Sequence, residues 1–555
     1  MNCSAIHRLA TLLLLVTPAC AQTGPRADLV AIGRVWTGDA AKPWAEAVAV
    51  QGDTIVFVGD SAAGLGRVGD GTVVLRGALV TPGIGDAHVH FLSGGFQLAS
   101  VDLRSARSPQ EFTARLKAYA KTLAPGEWIL GGDWDHEAWD GAPLPERSWI
   151  DSVTPDNPVF VNRLDGHMAL ANSKALALAG VTGRTRDVAG GTIVRDAQGE
   201  PTGILKDEAM TLVYLVVPDP SPAQADSAVA RATRWAASKG VTSVGAVSAT
   251  WLEVAALRRA LDGGRLETRV NAYVPLAAWR AVADTVRARG PGNSMLRVDG
   301  VKGFVDGSLG SATALFFEPY ADEPTTRGLL TTPAESLSAW IGGADSAGLQ
   351  VVVHAIGERA NALLLDIFDS VSAAHGPRDR RFRIEHAQHL RRSDIARFGK
   401  SGVIASMQPY HVADDGRWAE KRIGPERIKT TYPFRSLLGS KAHLAFGSDW
   451  TVAPLDPILG MKAAVTRQTL DGKNPQGWVP AEKISLDEAL RAYTSGVAYA
   501  LYGDDKRGVL KPGYTADLVL LDRDLFRIPV ETIDSTQVVS TVLAGKVIYR
   551  VSGER

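Results

Sequence analysis

The sequence predicts a (β/α)8 barrel with an insertion after its first strand, joined to a small β-sandwich built from both chain ends. Three observations predict it. Eight short apolar runs alternate with stretches of helical character. One connection, after the first run, is far too long for a single helix. Strand-rich segments with related sequences flank the whole array.

Taken in order, the first element is an export signal over residues 1–21. Arg8 supplies a positive start, residues 9–16 form an apolar stretch too short to span a bilayer, and Ala19-Cys20-Ala21 is a small-X-small cleavage site. Lipid attachment at Cys20 is the alternative, disfavoured by Thr17 and Pro18, where an aliphatic and a small residue belong. Cleavage after Ala21 gives a periplasmic or secreted protein. Both cysteines, Cys3 and Cys20, leave with the signal, so the mature chain has no disulfide and no thiolate ligand. No other stretch is apolar enough to cross a membrane.

Residues 22–80 read as the N-terminal part of the sandwich and residues 508–555 as its C-terminal part. Ala27-Asp28-Leu29-Val30 recurs as Ala516-Asp517-Leu518-Val519, and short β-branched runs surround both. Each end is too small to bury a core alone, so the two must combine. Between them, residues 81–507 form the barrel. Its predicted strands are 84–90, 241–247, 269–274, 298–305, 349–354, 382–386, 403–407 and 443–446, separated by helical stretches such as 222–239 and 333–347. Gly240-Val241, Gly348-Leu349 and Gly402-Val403 punctuate helix ends, where glycine supplies a left-handed cap. The segment from about 92 to 221 carries four of the 13 tryptophans and reads as a subdomain inserted over the barrel mouth.

Composition narrows the function. The chain has 555 residues, 45% of them hydrophobic, with 60 Lys+Arg balancing 60 Asp+Glu. A nucleic-acid binder would show a clustered basic excess, and none exists. The sequence names no protein partner and leaves a homo-oligomer open.

Chemistry concentrates at the strand ends, where barrel enzymes place catalytic groups. His88 and His90 end the first strand two residues apart, so both side chains leave the same face and can grip one cation. Lys302 lies on the fourth strand, His354 ends the fifth, His386 the sixth, and Asp449 follows the eighth. One such histidine is more often a hydrogen-bonded core residue. Four histidines, one lysine and one aspartate converging on one mouth are a metal-site pattern.

With these residues the chain resembles the amidohydrolase superfamily, and within it amidohydrolase family 3, the branch that includes N-substituted formamide deformylases. The match also covers Gly131-Gly132-Asp133-Trp134-Asp135, Asp165-Gly166-His167, Asn172-Ser173-Lys174-Ala175-Leu176, Asp306-Gly307-Ser308-Leu309-Gly310-Ser311 and Met407-Gln408-Pro409, and ends in the run from Gly508 to Asp517. It departs from the family at Ser243-Val244-Gly245-Ala246-Val247, where relatives often carry His or Asp after the valine. No metal ligand is lost there.

The resemblance implies two divalent metal ions, zinc first and manganese second. His88 and His90 hold the more buried ion, completed by Asp449; His354 and His386 hold the other; carboxylated Lys302 bridges both. It implies hydrolysis of a linear C–N amide bond through a metal-bridging hydroxide, with Asp449 as catalytic base and then acid. Hydrolysis of a lactone, carbamate or cyclic amide, or a deamination, is the alternative on the same site. A non-catalytic binding protein is a third reading, disfavoured because every ligand is present.

Trp134, His167, Gln408, Tyr410 and Trp450 lie in segments that border the mouth and are the candidate substrate contacts. Trp139 and Trp418 lie in comparable segments, and for each of these aromatics core packing is the competing role. Together they suggest a small neutral amide with a hydrophobic or aromatic substituent. The export signal is directly testable. Sequencing the N-terminus of the mature protein should find Gln22; an intact Met1 or a lipid on Cys20 would contradict it.

Overall fold

The computed structural model describes residues 25–136, 139–163, 168–188 and 191–551. The predicted signal segment and the candidate His167 lie outside the described residues. Four strands open the chain: β1 (Leu29–Trp36), β2 (Trp44–Gln51), β3 (Thr54–Gly59) and β4 (Val73–Pro82). The first barrel strand, β5 (Ile84–Val89), follows after a single residue. The insertion contributes β6 (Ile129–Trp134), β7 (Val159–Arg163), β8 (Met168–Ala171), β9 (Gly191–Arg195) and β10 (Pro201–Asp207). The barrel resumes with β11 (Val241–Ala246), β12 (Arg269–Pro275), β13 (Leu296–Phe304), β14 (Gln350–Ala355), β15 (Arg383–His386), β16 (Ile404–Met407) and β17 (Leu444–Phe446). Last come β18 (Leu518–Leu521), β19 (Val538–Leu543) and β20 (Lys546–Arg550).

All eight predicted barrel strands are present within a residue or two. They form one parallel sheet in the order β17-β16-β15-β14-β13-β12-β11-β5. Several are buried at every position, as befits strands covered by helices outside and a packed lumen inside. The helix Pro222–Ser238 begins at a Ser221–Gln224 capping box. The helix Arg392–Ser401 ends at Gly402 with φ 71°, the left-handed cap that a side chain would strain.

The ring is closed at one seam. Val89 pairs in parallel with Trp450, Asp449 N–H donates to His88 O at 2.8 Å, and His90 N–H donates to Trp450 O at 2.6 Å. The residues that close the barrel are therefore the same ones that carry the candidate ligands.

The two chain ends do combine, as one seven-stranded sheet ordered β20-β19-β18-β4-β1-β2-β3. Its continuity differs from two separately hydrogen-bonded layers. The sheet curls instead: a Cβ on Gly545, in the β19–β20 turn, would lie 1.9 Å from Gly52 O in the β2–β3 turn. Leu29, Val48, Val50, Leu75, Leu518 and Leu520 fill the enclosed core. Strand β4 remains paired to β18 as far as Pro82, slightly beyond the expected boundary at residue 80. The insertion folds its own five-stranded sheet, ordered β6-β7-β8-β10-β9, over separate apolar cores. Among the described residues, no helix is long and apolar enough to cross a membrane.

A buried ion pair ties the terminal sheet to the barrel. Arg269 on β12 grips Asp517 with Nε at 2.8 Å and Nη2 at 2.9 Å, and Asp517 also accepts the Ala544 N–H. Arg269→Ala would leave that carboxylate buried without its counter-charge. It should destabilise the protein by about 3–5 kcal/mol in denaturant titration. A loss below about 1 kcal/mol, the range of an exposed pair, would show that the contact does not fasten the two parts.

Candidate active site

Every candidate metal ligand sits at the carboxyl-terminal mouth of the barrel. His88 and His90 lie on and just after β5, Lys302 on β13, His354 on β14, His386 at the end of β15, and Asp449 just after β17. Asp449 and His386 adopt left-handed backbone at φ 60° and 72°. Non-glycine residues hold that conformation only where the surroundings over-determine it, and such places cluster at functional sites. For Asp449 the constraint is visible: the buried Asp86 carboxylate accepts the Ser448 N–H at 2.9 Å and the His88 N–H at 3.1 Å. One side chain thereby fixes both edges of the seam.

Around Asp449 the geometry is tight. Its Oδ1 lies 3.4 Å from His88 Nε2 and 3.3 Å from His90 Nε2. Ligand atoms of His88, His386 and Asp449 all fall within 4.8 Å of one another. The His88 and His386 rings are 5.0 Å apart, and those of His386 and His354 4.6 Å. Among the described residues, nothing donates a hydrogen bond to the buried Asp449 Oδ1, an arrangement that costs about 1–3 kcal/mol unless a ligand offsets it. His90, with 31% of its side chain exposed, marks the open side of the group.

A second layer orients the imidazoles. His88 Nδ1 pairs with Glu385 Oε2 at 2.6 Å, which leaves Nε2 facing Asp449. Glu385 is in turn held by Arg383 Nε at 2.8 Å, and Arg383 also bonds Tyr273 Oη at 3.0 Å and Ala87 O at 2.7 Å. His386 Nδ1 pairs with Gln408 Oε1 at 2.8 Å, leaving its Nε2 without a hydrogen bond among the described residues. His354 Nε2 lies 3.0 Å from Gly307 O. The Asp306 carboxylate accepts the N–H groups of Leu315, Ile356 and Gly357, which anchors the loop after β13 to the turn after His354.

Burial sets the protonation states. It pushes His88 down to about 4 and His354 to about 3, so both are neutral with a lone pair to offer. Burial also holds His386 well below the usual imidazole range. Burial opposes ionisation of Glu385, but Arg383 and His88 outweigh it and bring its carboxyl to about 2. Asp449 is likewise held ionised against burial, by His88 first and then the His90 contact. Burial lowers the Lys302 amine to about 8, with Glu385 and Asp449 partly resisting. Neutral imidazoles beside an ionised carboxylate form the donor set of a borderline divalent cation.

The structure thus brings His88, His90, Lys302, His354, His386 and Asp449 to one mouth. Three of the candidate substrate contacts are buried and hydrogen-bonded within the protein. Trp134 is fully buried in the insertion's own core, with its indole N–H on Val161 O at 2.9 Å. Trp139 packs in the same core. Gln408 is buried behind His386 and serves to orient it. Trp450 is buried against the helix Phe91–Gln97, and its indole donates to Gln97, whose amide reaches Asp133 of the insertion. Tyr410, near the start of the helix Pro409–Asp415, is partly exposed and keeps its candidacy. Sequence reasoning assigned no role to Glu385, Arg383, Asp86 or Asp306. Glu385 had one usable signal, an acidic residue on a buried strand directly before a candidate ligand.

Residues 72–549 match the model of the amidohydrolase family, Amidohydro_3. The chain belongs to the amidohydrolase family. Over 555 aligned residues this amidohydrolase is 42% identical to the protein LONG AFTER FAR-RED 3 of Arabidopsis thaliana, covering 97% of this chain and 94% of the plant protein. It is 28% identical to the N-substituted formamide deformylase of Arthrobacter pascens, covering 95% and 99% of the two chains. Its fold is similar to the crystal structure of an uncharacterised metal-dependent hydrolase from Pyrococcus horikoshii, with a TM-score of 0.76 and 29% identity over 91% of this chain and 99% of that one. As a member of that family, the chain is a metal-dependent hydrolase.

The Glu385 contact yields a test of the second layer. Glu385→Gln still offers His88 an acceptor but removes the charge that raises imidazole basicity and balances Arg383. Zinc titration of the metal-free variant should give an affinity about 10–100-fold weaker than wild type. Equal affinity would leave Glu385 a purely structural partner of Arg383.

Proposed function

We propose that this amidohydrolase cleaves the linear C–N bond of an N-acyl or N-formyl amine bearing a hydrophobic or aromatic group. The observation that carries the reading is the buried Asp449 Oδ1, which has no hydrogen-bond donor among the described residues and is ringed by imidazole nitrogens. An oxygen in that position fits a cation. His88, His90 and Asp449 would hold one divalent ion, and His354 and His386 a second, with carboxylated Lys302 between them. Zinc suits this nitrogen-rich donor set, and manganese is the alternative. When bound, such ions polarise a carbonyl and acidify water toward neutral pH.

The chain's own groups supply the rest. Lys302 has an amine lowered to about 8, so a useful fraction is unprotonated near neutrality. That nitrogen can add to carbon dioxide, release one proton and become the carbamate anion the site requires. Asp449 is ionised and can take a proton from the attacking water, then deliver it to the departing nitrogen. His90, 31% exposed, forms the open edge from which an amide would approach. Kinship with an N-substituted formamide deformylase supports the choice of an amide over a lactone or a deaminated base.

Product analysis on a panel of N-formyl and N-acyl amines should find the free acid and the free amine. Chelation should abolish turnover, and zinc or manganese should restore it. Asp449→Asn, assayed at full metal occupancy, should lower kcat by about 100-fold or more. Lys302→Ala should lose much of its metal, with partial recovery by small carboxylic acids. Near-normal turnover in metal-replete Asp449→Asn would remove the proton-transfer role, and full metal content in Lys302→Ala would remove the bridge.

A further inference from the structure

Beside the mouth, a cleft of about 340 Å3 is lined by Gly310, Asp322, Trp418, Lys421 and Arg422. Its two walls are the loop after β13 and the segment after β16, both at the carboxyl-terminal end of the barrel. Each wall continues from a contact with the candidate ligands. Gly307, three residues before Gly310, carries the carbonyl 3.0 Å from His354 Nε2. His411, on the helix that leads to Trp418, lies parallel to the His386 ring with centroids 6.4 Å apart. The cleft is thus built from the same two segments that border the reactive centre.

Its walls are fixed before any ligand arrives. Ala321 N–H donates to Arg422 O at 2.8 Å, Arg422 donates to Gly310 O, and Arg427 donates to Glu318 O and Pro319 O at 3.1 and 2.7 Å. A preformed cleft spends little affinity on ordering. Trp418 is half-buried, with part of its ring packed on the barrel core. A Cβ on Gly310 would meet nothing within 4 Å except Trp418 Cη2 at 3.7 Å, so glycine leaves open space against the edge of the indole.

Charge in the cleft is uneven. Arg422 is committed to Asp322 at 3.3 Å and to Gly310 O. Lys421 is exposed, and its ammonium has neither an ion pair nor a hydrogen bond among the described residues. An aromatic wall beside an uncommitted cation suits a flat ring bearing an anion.

We propose that this cleft is the subsite for the part of the substrate remote from the scissile bond, and that it takes an aromatic carboxylate. The ring lies on Trp418 and the carboxylate pairs with Lys421. This rests on the amide-hydrolase reading for the reaction, and it replaces the neutral substituent suggested by composition with an acidic one.

Two measurements test it on the full-length, zinc-loaded protein. The first compares kcat/KM for N-formyl-para-(aminomethyl)benzoate and its methyl ester. Wild type should favour the acid, Lys421→Glu should cut the acid-to-ester ratio at least about fivefold, and Trp418→Ala should weaken both substrates about tenfold. N-formylmethylamine, which has neither a ring for Trp418 nor a carboxylate for Lys421, should be unaffected by either change. The second is calorimetric binding of para-toluate, which carries no amide. It should be weaker in Lys421→Glu and in Trp418→Ala, and Gly310→Leu should exclude it. An unchanged acid-to-ester ratio, or equal toluate binding in wild type and Lys421→Glu, would overturn the subsite. If no amide is cleaved, the reaction assignment fails and the toluate measurement alone decides the cleft.

Discussion

The hydrogen bonds that close the barrel between β5 and the segment after β17 are the constraint on which the mouth depends. Asp449 N–H to His88 O and His90 N–H to Trp450 O set the register of that closure. Side chains alternate along paired segments, so a slip of one residue would turn Asp449 away from His88 and His90. The seam also fixes Asp449 in a left-handed conformation that costs about 1–2 kcal/mol. Asp86 makes this tolerable by holding Ser448 and His88 at once.

From that seam outward, each polar group is buried only because another satisfies it. Arg383 neutralises Glu385, Glu385 orients His88, and Gln408 orients His386. The chain of partners ends at Asp449 Oδ1, which accepts no hydrogen bond among the described residues. A buried, ionised oxygen ringed by imidazole nitrogens suits a cation. The two accessory parts brace the same region from opposite sides. The insertion reaches Trp450 through Asp133 and Gln97, and the curled terminal sheet reaches β12 through Asp517 and Arg269.

The barrel was legible because its strands are short apolar runs punctuated by glycine, and because ligand-type residues recur at their ends. Position along a strand also sufficed to group His88, His90, Lys302, His354, His386 and Asp449. What the sequence could not resolve was the direction in which an aromatic or amide side chain turns. Trp134 and Trp450 lie in segments near the mouth, yet both point into packed cores where their indole N–H groups are satisfied. Gln408 follows a strand end like a substrate contact, but its amide turns back to His386. The curl of the terminal sheet depends on the approach of two turns about 490 residues apart in sequence, Gly52 and Gly545, which no local pattern encodes. That Lys421 has no ion pair among the described residues is equally invisible, because the neighbouring Asp322 carboxylate pairs with Arg422.

The central claim is that Asp449 Oδ1, His88 and His386 are ligands of one divalent cation. Anomalous diffraction at the zinc absorption edge, on crystals of the zinc-loaded protein, addresses it most directly. The account predicts an anomalous peak about 2.0–2.2 Å from Asp449 Oδ1 and within bonding distance of histidine nitrogens at the seam. A zinc-loaded, active crystal with no anomalous peak there, and with Asp449 Oδ1 hydrogen-bonded to a protein donor instead, would contradict it.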